Sequence, residues 1–178
     1  MQGEWWRAVT ALMLHADVAH FAGNLVFGAF FAYLLGQYVG SGTAALAMLG
    51  GGAAGNLINA WLQVPDHRSI GASTAVFAAL GVVAAQVAFG GTARYRSWAH
   101  RASPLVAGIG LLAYLGTGDE HTDIAAHLAG FLAGAAVGLL LRTFTAAARR
   151  PAFRFACAVA APALVLVAWL LAVLNARS

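Results

Sequence analysis

Six long apolar runs constrain this chain more than any other feature. They cover about residues 18–38, 43–62, 73–90, 104–117, 123–142 and 152–174. Apart from the short fourth run, each is near the roughly 20 residues that a helix needs to cross a bilayer. The runs are rich in Ala and Leu and do not alternate, which disfavours strands and a barrel. A soluble domain is typically about 45–50% apolar and about 25% charged. This chain is 61% hydrophobic and 9% charged, with a mean hydropathy of +0.77. No soluble core hides that much apolar surface, so lipid is the main solvent. The expected fold is all-α, a polytopic transmembrane helical bundle with six spans. The 21 glycines suit it, because close backbone approach holds helices together in lipid, where hydrophobicity does not.

Charge placement orients the spans. The segment 91–103 carries Arg94, Arg96 and Arg101, and the segment 142–154 carries Arg142, Arg149, Arg150 and Arg154. Both fall on one side of a six-span chain and hold no acid. Glu4, Asp17, Asp66, Asp119, Glu120 and Asp123 fall on the other side or lead to it. By the positive-inside rule the arginine segments are cytoplasmic. Residues 1–17 are amphipathic, with Trp5 and Trp6 suited to a membrane interface, and lack a cleavable signal pattern. They are placed outside with no span before them. The net charge of +4 is all arginine, and the arginines do not cluster on a solvated domain, so nucleic acid is not an expected partner. Cys157, the single cysteine, excludes an internal disulfide framework.

Polar side chains inside apolar spans are costly and ask for a reason. His20 and Asn24 open the first span four residues apart, on one helical face. Ser73 opens the third, with Phe77 and Gly81 following at spacings of four. His127 in the fifth shares a stripe with Gly130, Gly134 and Gly138. In the six-span order, His20, Ser73 and His127 all sit near the outer ends of their helices. One hydroxyl, two imidazoles and an amide then share a layer, a set suited to acyl transfer. Serine is a weak nucleophile that needs an adjacent base. His127 can take its proton, and His20 and Asn24 can donate to an oxyanion. Asp123, four residues before His127, is placed near the outer surface, so a two-residue dyad is the better reading. From the residues alone, Ser73 is equally a helix cap, His127 a buried structural histidine and Asn24 interhelical glue.

Three blocks resemble the rhomboid family of intramembrane serine proteases. WWRAVTALMLHADVAHFAGN carries Trp6, Arg7, His15, His20 and Asn24. GASTAVFAALG carries Gly71, Ser73, Phe77 and Gly81. AAHLAGFLAGAAVG carries Ala126, His127, Gly130 and Gly134. Order and spacing agree over about residues 5–140. The resemblance implies Ser73 as nucleophile and His127 as general base. It implies an oxyanion hole from His20, Asn24 and the Ser73 backbone N–H. Gly71 and His15 support the site, and Phe77, often Tyr in the family, packs beside the His127 ring. Arg7 and the Trp pair belong to a membrane-embedded loop, and the fourth helix with residues 116–122 forms a substrate gate and cap. Substrates in the family are transmembrane helices whose upper ends unwind.

Two departures stand out. Thr74 occupies a position where the family commonly has Gly, which would stiffen the turn and narrow the site. The family's Trp-Arg loop follows a first helix, and here it starts the chain. The six runs therefore correspond to family helices two to six plus one extra, and an upstream span is expected in the native protein. The expected organisation is a protease core over residues 1–142, then a cytoplasmic linker and an additional C-terminal helix over 143–178.

A rival reading is a non-catalytic rhomboid relative that escorts membrane clients; such relatives lose the Ser or the His. A proton path or transporter is the other, although the polar residues form one shallow cluster and no chain across the bilayer. His15, His20, His121 and His127 lack HExxH spacing, so neither a metal nor a cofactor is expected. Arginine-only basic content with abundant Ala and Gly suggests a GC-rich bacterial genome. The expected location is the bacterial inner membrane, with the site opening to the outer side.

Overall fold

The computed structural model describes residues 3–64, 67–89, 97–116, 123–148 and 150–176. Among them the regular elements are all helical. In chain order they are α1 (Trp6–Thr10), a 3-10 turn (Ala11–Met13), α2 (Val18–Val39), α3 (Ser41–Leu62), α4 (Ser73–Phe89), α5 (Trp98–Gly116), α6 (Ile124–Thr143), α7 (Thr145–Ala148) and α8 (Pro151–Asn175). A helix stands at each of the six apolar runs. By length and composition α2, α6 and α8 are long and apolar enough to cross a membrane. The helix α4 is apolar but has only 17 residues.

The ends of these helices follow from local chemistry. Asp17 caps α2, its carboxylate accepting from the His20 amide at 2.7 Å. Asp123 caps α6 through the Ala126 amide at 2.9 Å. Each carboxylate satisfies an amide that the first helical turn leaves unpaired. Gly40, at φ +87°, ends α2 and turns the chain straight into α3. Pro151 opens α8, where its missing N–H costs nothing.

The centre of the bundle is α4, buried continuously from Ser73 to Val83. It packs on α2, α3, α5 and α6. Small residues set its distance from α6. A Cβ at Gly134 would overlap the Ala78 carbonyl, one at Gly130 the Thr74 carbonyl, and one at Gly81 the Phe131 carbonyl. On α3, Gly55 lies against Gly130 and Gly52 against Ala75. The outer surface is the reverse of this. Val18, Leu25, Val26, Phe30 and Tyr33 on α2, and Leu166, Leu170 and Leu174 on α8, are exposed, as a lipid-facing surface requires.

Three segments depart from the expected boundaries. Between residues 3 and 17 the chain forms α1 and the 3-10 turn, burying Ala8, Val9, Thr10 and Leu12. The helix α5 starts at Trp98 rather than near residue 104, with Pro104 inside it. Backbone hydrogen bonding carries a helix past the end of its apolar stretch, so the apolar pattern marks only part of it. Within the expected linker, α7 is helical, and α8 turns Cys157, Ala161 and Ala168 inward. Ala161 and Ala168 join a cluster with Ala8, Val9 and Leu12 of the N-terminal segment and Leu49 and Ala53 of α3. Arg94, Arg96, Arg149, Asp66, Asp119, Glu120, His121 and all but Gly116 of the expected cap at 116–122 lie outside the described residues.

Candidate active site

Ser73 is the first residue of α4 and is reached through a bent approach. Gly71 sits at φ +123°, which side chains other than hydrogen rarely tolerate. Its N–H donates to the Ala11 carbonyl at 2.9 Å, fastening the approach to the 3-10 turn. The Ala72 carbonyl then accepts from Ala75 and Val76, starting the helix. The residues alone leave Ser73 open as a nucleophile, a helix cap or both. It stands within the first turn, and its Oγ lies 2.8 Å from His127 Nε2. Both residues are buried, at 8% and 5% exposure.

His127 is the fourth residue of α6, one turn beyond the Asp123 cap. The Phe77 ring stacks on it with centroids 4.6 Å apart and planes 18° from parallel. That contact follows from sequence, since Phe77 lies one turn after Ser73 on the same face of α4. Buried His127 Nδ1 has no hydrogen-bond partner among the described residues. No third side chain there completes a triad with Ser73 and His127.

His20 and Asn24 of α2 approach the same spot from the other side. A Cβ at Gly71 would stand 2.6 Å from His20 Nε2 and 3.7 Å from Asn24 Nδ2. Both side chains are half-buried. Asn24 Nδ2 spends one N–H on the His20 carbonyl at 2.9 Å, leaving its other N–H for a further acceptor. His15 packs edge-on to His20 at 5.2 Å, and its Nε2 accepts a long 3.5 Å bond from the Ala72 amide. Gly71 thus serves twice, by its φ and by leaving room for His20.

Thr74 does not narrow this site. It is 2% exposed, and its methyl fills a notch between Gly55 of α3 and Gly130 of α6. The β-branch that looked obstructive packs into the glycine-lined interface behind the serine.

Sequence reasoning passed over two buried amides on α3. Asn56 Nδ2 donates to the Ala8 carbonyl at 2.9 Å, tying α3 to α1. Asn59 Nδ2 donates to Asp123 Oδ2 at 2.6 Å, tying α3 to the start of α6. Asp123 Oδ2 also meets His67 Nε2 at 2.6 Å. Burial alone would raise the Asp123 pKa. Hydrogen bonds from His67, the Ala126 amide, Asn59 and Ser69 more than offset it and hold the carboxyl below its ordinary value. The signal was present in the sequence, since an amide inside an apolar span is as unusual as a histidine there.

The fold and site define an integral membrane helical bundle with a buried serine–histidine pair near one end. Residues 2–144 match the profile of the Rhomboid domain, and the chain belongs to the rhomboid family. It is 33% identical over 132 residues to Rhomboid-like protease 3 of Toxoplasma gondii, covering 74% of this chain and 50% of that one. It is 31% identical over 136 residues to RHOMBOID-like protein 7 of Arabidopsis thaliana, covering 76% and 42%. With rhomboid protease GluP of Bacillus subtilis (strain 168) it shares 34% identity over 82 residues, covering 46% and 16%. The chain spans half or less of the length of these relatives. No solved structure matched.

Proposed function

We propose that this protein is an intramembrane serine endopeptidase that cleaves peptide bonds in or near transmembrane segments by a Ser73–His127 dyad. The observation that carries this reading is the 2.8 Å contact between Ser73 Oγ and His127 Nε2 in a buried site at the start of two apolar helices. His127 Nε2 takes the Ser73 proton as Oγ attacks the scissile carbonyl carbon. The resulting oxyanion is held by His20, Asn24 and the Ser73 N–H. Collapse breaks the C–N bond, and the amine leaves with the proton from His127. Water, deprotonated by His127, then hydrolyses the acyl ester. Phe77 fixes the imidazole plane, so the ring needs no carboxylate to orient it.

In this reading residues 1–142 carry the catalysis and 143–178 add a linker and a packing helix. The substrates are membrane proteins with a helix that unwinds at its end. The arginine-rich ends face the cytoplasm, the site opens to the opposite side, and the membrane is a bacterial inner membrane. The test is fluorophosphonate labelling of purified protein with a reporter transmembrane substrate. Wild type is expected to label once and to cleave, and Ser73→Ala and His127→Ala to do neither. A wild type that neither labels nor cleaves overturns the proposal and favours a client-binding role.

A further inference from the structure

Asp123 does more than a helix cap requires. Capping uses one oxygen, Oδ1, which accepts from the Ala126 amide at 2.9 Å. The other, Oδ2, is taken up by Asn59 Nδ2 and His67 Nε2, each at 2.6 Å. The Asp123 side chain is only 11% exposed, and Asn59 is 2% exposed.

These partners belong to three separate pieces of the bundle. Asn59 is fixed on α3. His67 lies in the segment that runs directly into Gly71 and Ser73. Asp123 itself starts α6, with His127 one turn further on. The carboxylate thus joins the strand of chain that delivers the serine to the helix that delivers the histidine, against a common post on α3. Hydrogen bonds to an ionised acceptor are roughly twice as strong as neutral ones. Such a clamp matters where a small displacement is costly, and a shift of about 1 Å can cost roughly 10²-fold in rate.

We propose that Asp123 is a positioning residue, which with Asn59 and His67 clamps the nucleophile segment to the base helix and sets the Ser73–His127 distance. The proposal rests on the serine–histidine reading above.

Asp123→Asn separates clamp from cap. Asn caps helices as well as Asp, but an amide has one oxygen where the carboxylate has two. It cannot accept from Ala126 and also from Asn59 and His67 in the same arrangement. The clamp predicts that Asp123→Asn labels with fluorophosphonate at least about tenfold slower than wild type. On the reporter substrate kcat falls, while KM stays within about threefold. Labelling within about twofold of wild type would make Asp123 a cap alone and overturn the proposal. If wild type itself does not label, the proposed function fails, and the clamp is read from thermal midpoints instead. Asp123→Ala combined with Asn59→Ala is then expected to be no less stable than the weaker single variant, and additive losses overturn the clamp.

Discussion

At the scale of single residues, Gly71 and Thr74 show how differently two neighbours of one serine are constrained. Gly71 combines φ +123° with a His20 nitrogen standing where a Cβ would go. Gly71→Ala is expected to strain the backbone by about 1–3 kcal/mol and to displace His20. Fluorophosphonate labelling should be lost or slowed more than tenfold, and thermal unfolding should come earlier. Thr74 faces the interface behind the site. Thr74→Gly should cost at least about 1 kcal/mol of stability, because it empties the buried notch that the methyl fills, while labelling stays within about twofold of wild type. A large labelling change in Thr74→Gly would mean that the threonine acts on the site after all.

At the scale of elements, the approach of α4 to α6 brings serine and histidine together, and small residues govern it. Gly134 abuts the Ala78 carbonyl, whereas a Cβ at Gly50 of α3 meets nothing within 4 Å. Gly134→Leu should therefore push the helices apart and abolish labelling. Gly50→Ala should be neutral or stabilising by roughly 0.5–1 kcal/mol, because it removes a helix glycine at no steric cost. The start of α6 adds a pH dependence. Asp123 has its carboxyl pKa lowered in the fold, so its contribution is complete above the ordinary carboxylate pKa of about 3.9. It is lost as pH falls through the lowered folded value. The thermal midpoint should drop below about pH 4, and the drop should be smaller in Asp123→Ala, measured by unfolding across pH.

At the scale of the whole molecule, α8 is continuous with the packing around the site. Ala168 is fully buried, in a cluster with Ala8, Val9 and Leu12. From that segment the Ala11 carbonyl receives the Gly71 amide, and Asn56 holds Ala8 from α3. Overpacking Ala168→Phe should cost about 1–3 kcal/mol, read by thermal unfolding in detergent. It should also slow labelling, because the segment that fastens Gly71 is displaced. A stable, fully labelling variant would show α8 to be energetically separate from the site.

Much of this arrangement was legible in the sequence. Runs of apolar residues of bilayer length identify helices because, in lipid, a backbone satisfies its hydrogen bonds within a single segment. That is why α2, α3, α4, α6 and α8 lie within a few residues of the expected spans. The short α1, the early start of α5 and α7 carry no such signal, because their polar or mixed residues can be helix or loop alike. Ser73, His127, His20 and Asn24 were visible as polar groups at matching depths, and Phe77 by its helical register to Ser73. Run length and the spacing of polar residues thus specify a membrane bundle and the side chains that share a layer near one end. Helix packing is what turns the Ser73 hydroxyl to His127 and the Thr74 methyl into a glycine-lined notch. The same holds for Asp123, which meets Asn59 and His67 from distant parts of the chain. Those outcomes depend on the rotation and spacing of helices against one another. Contacts across interfaces set them, and no periodicity within a single segment encodes them.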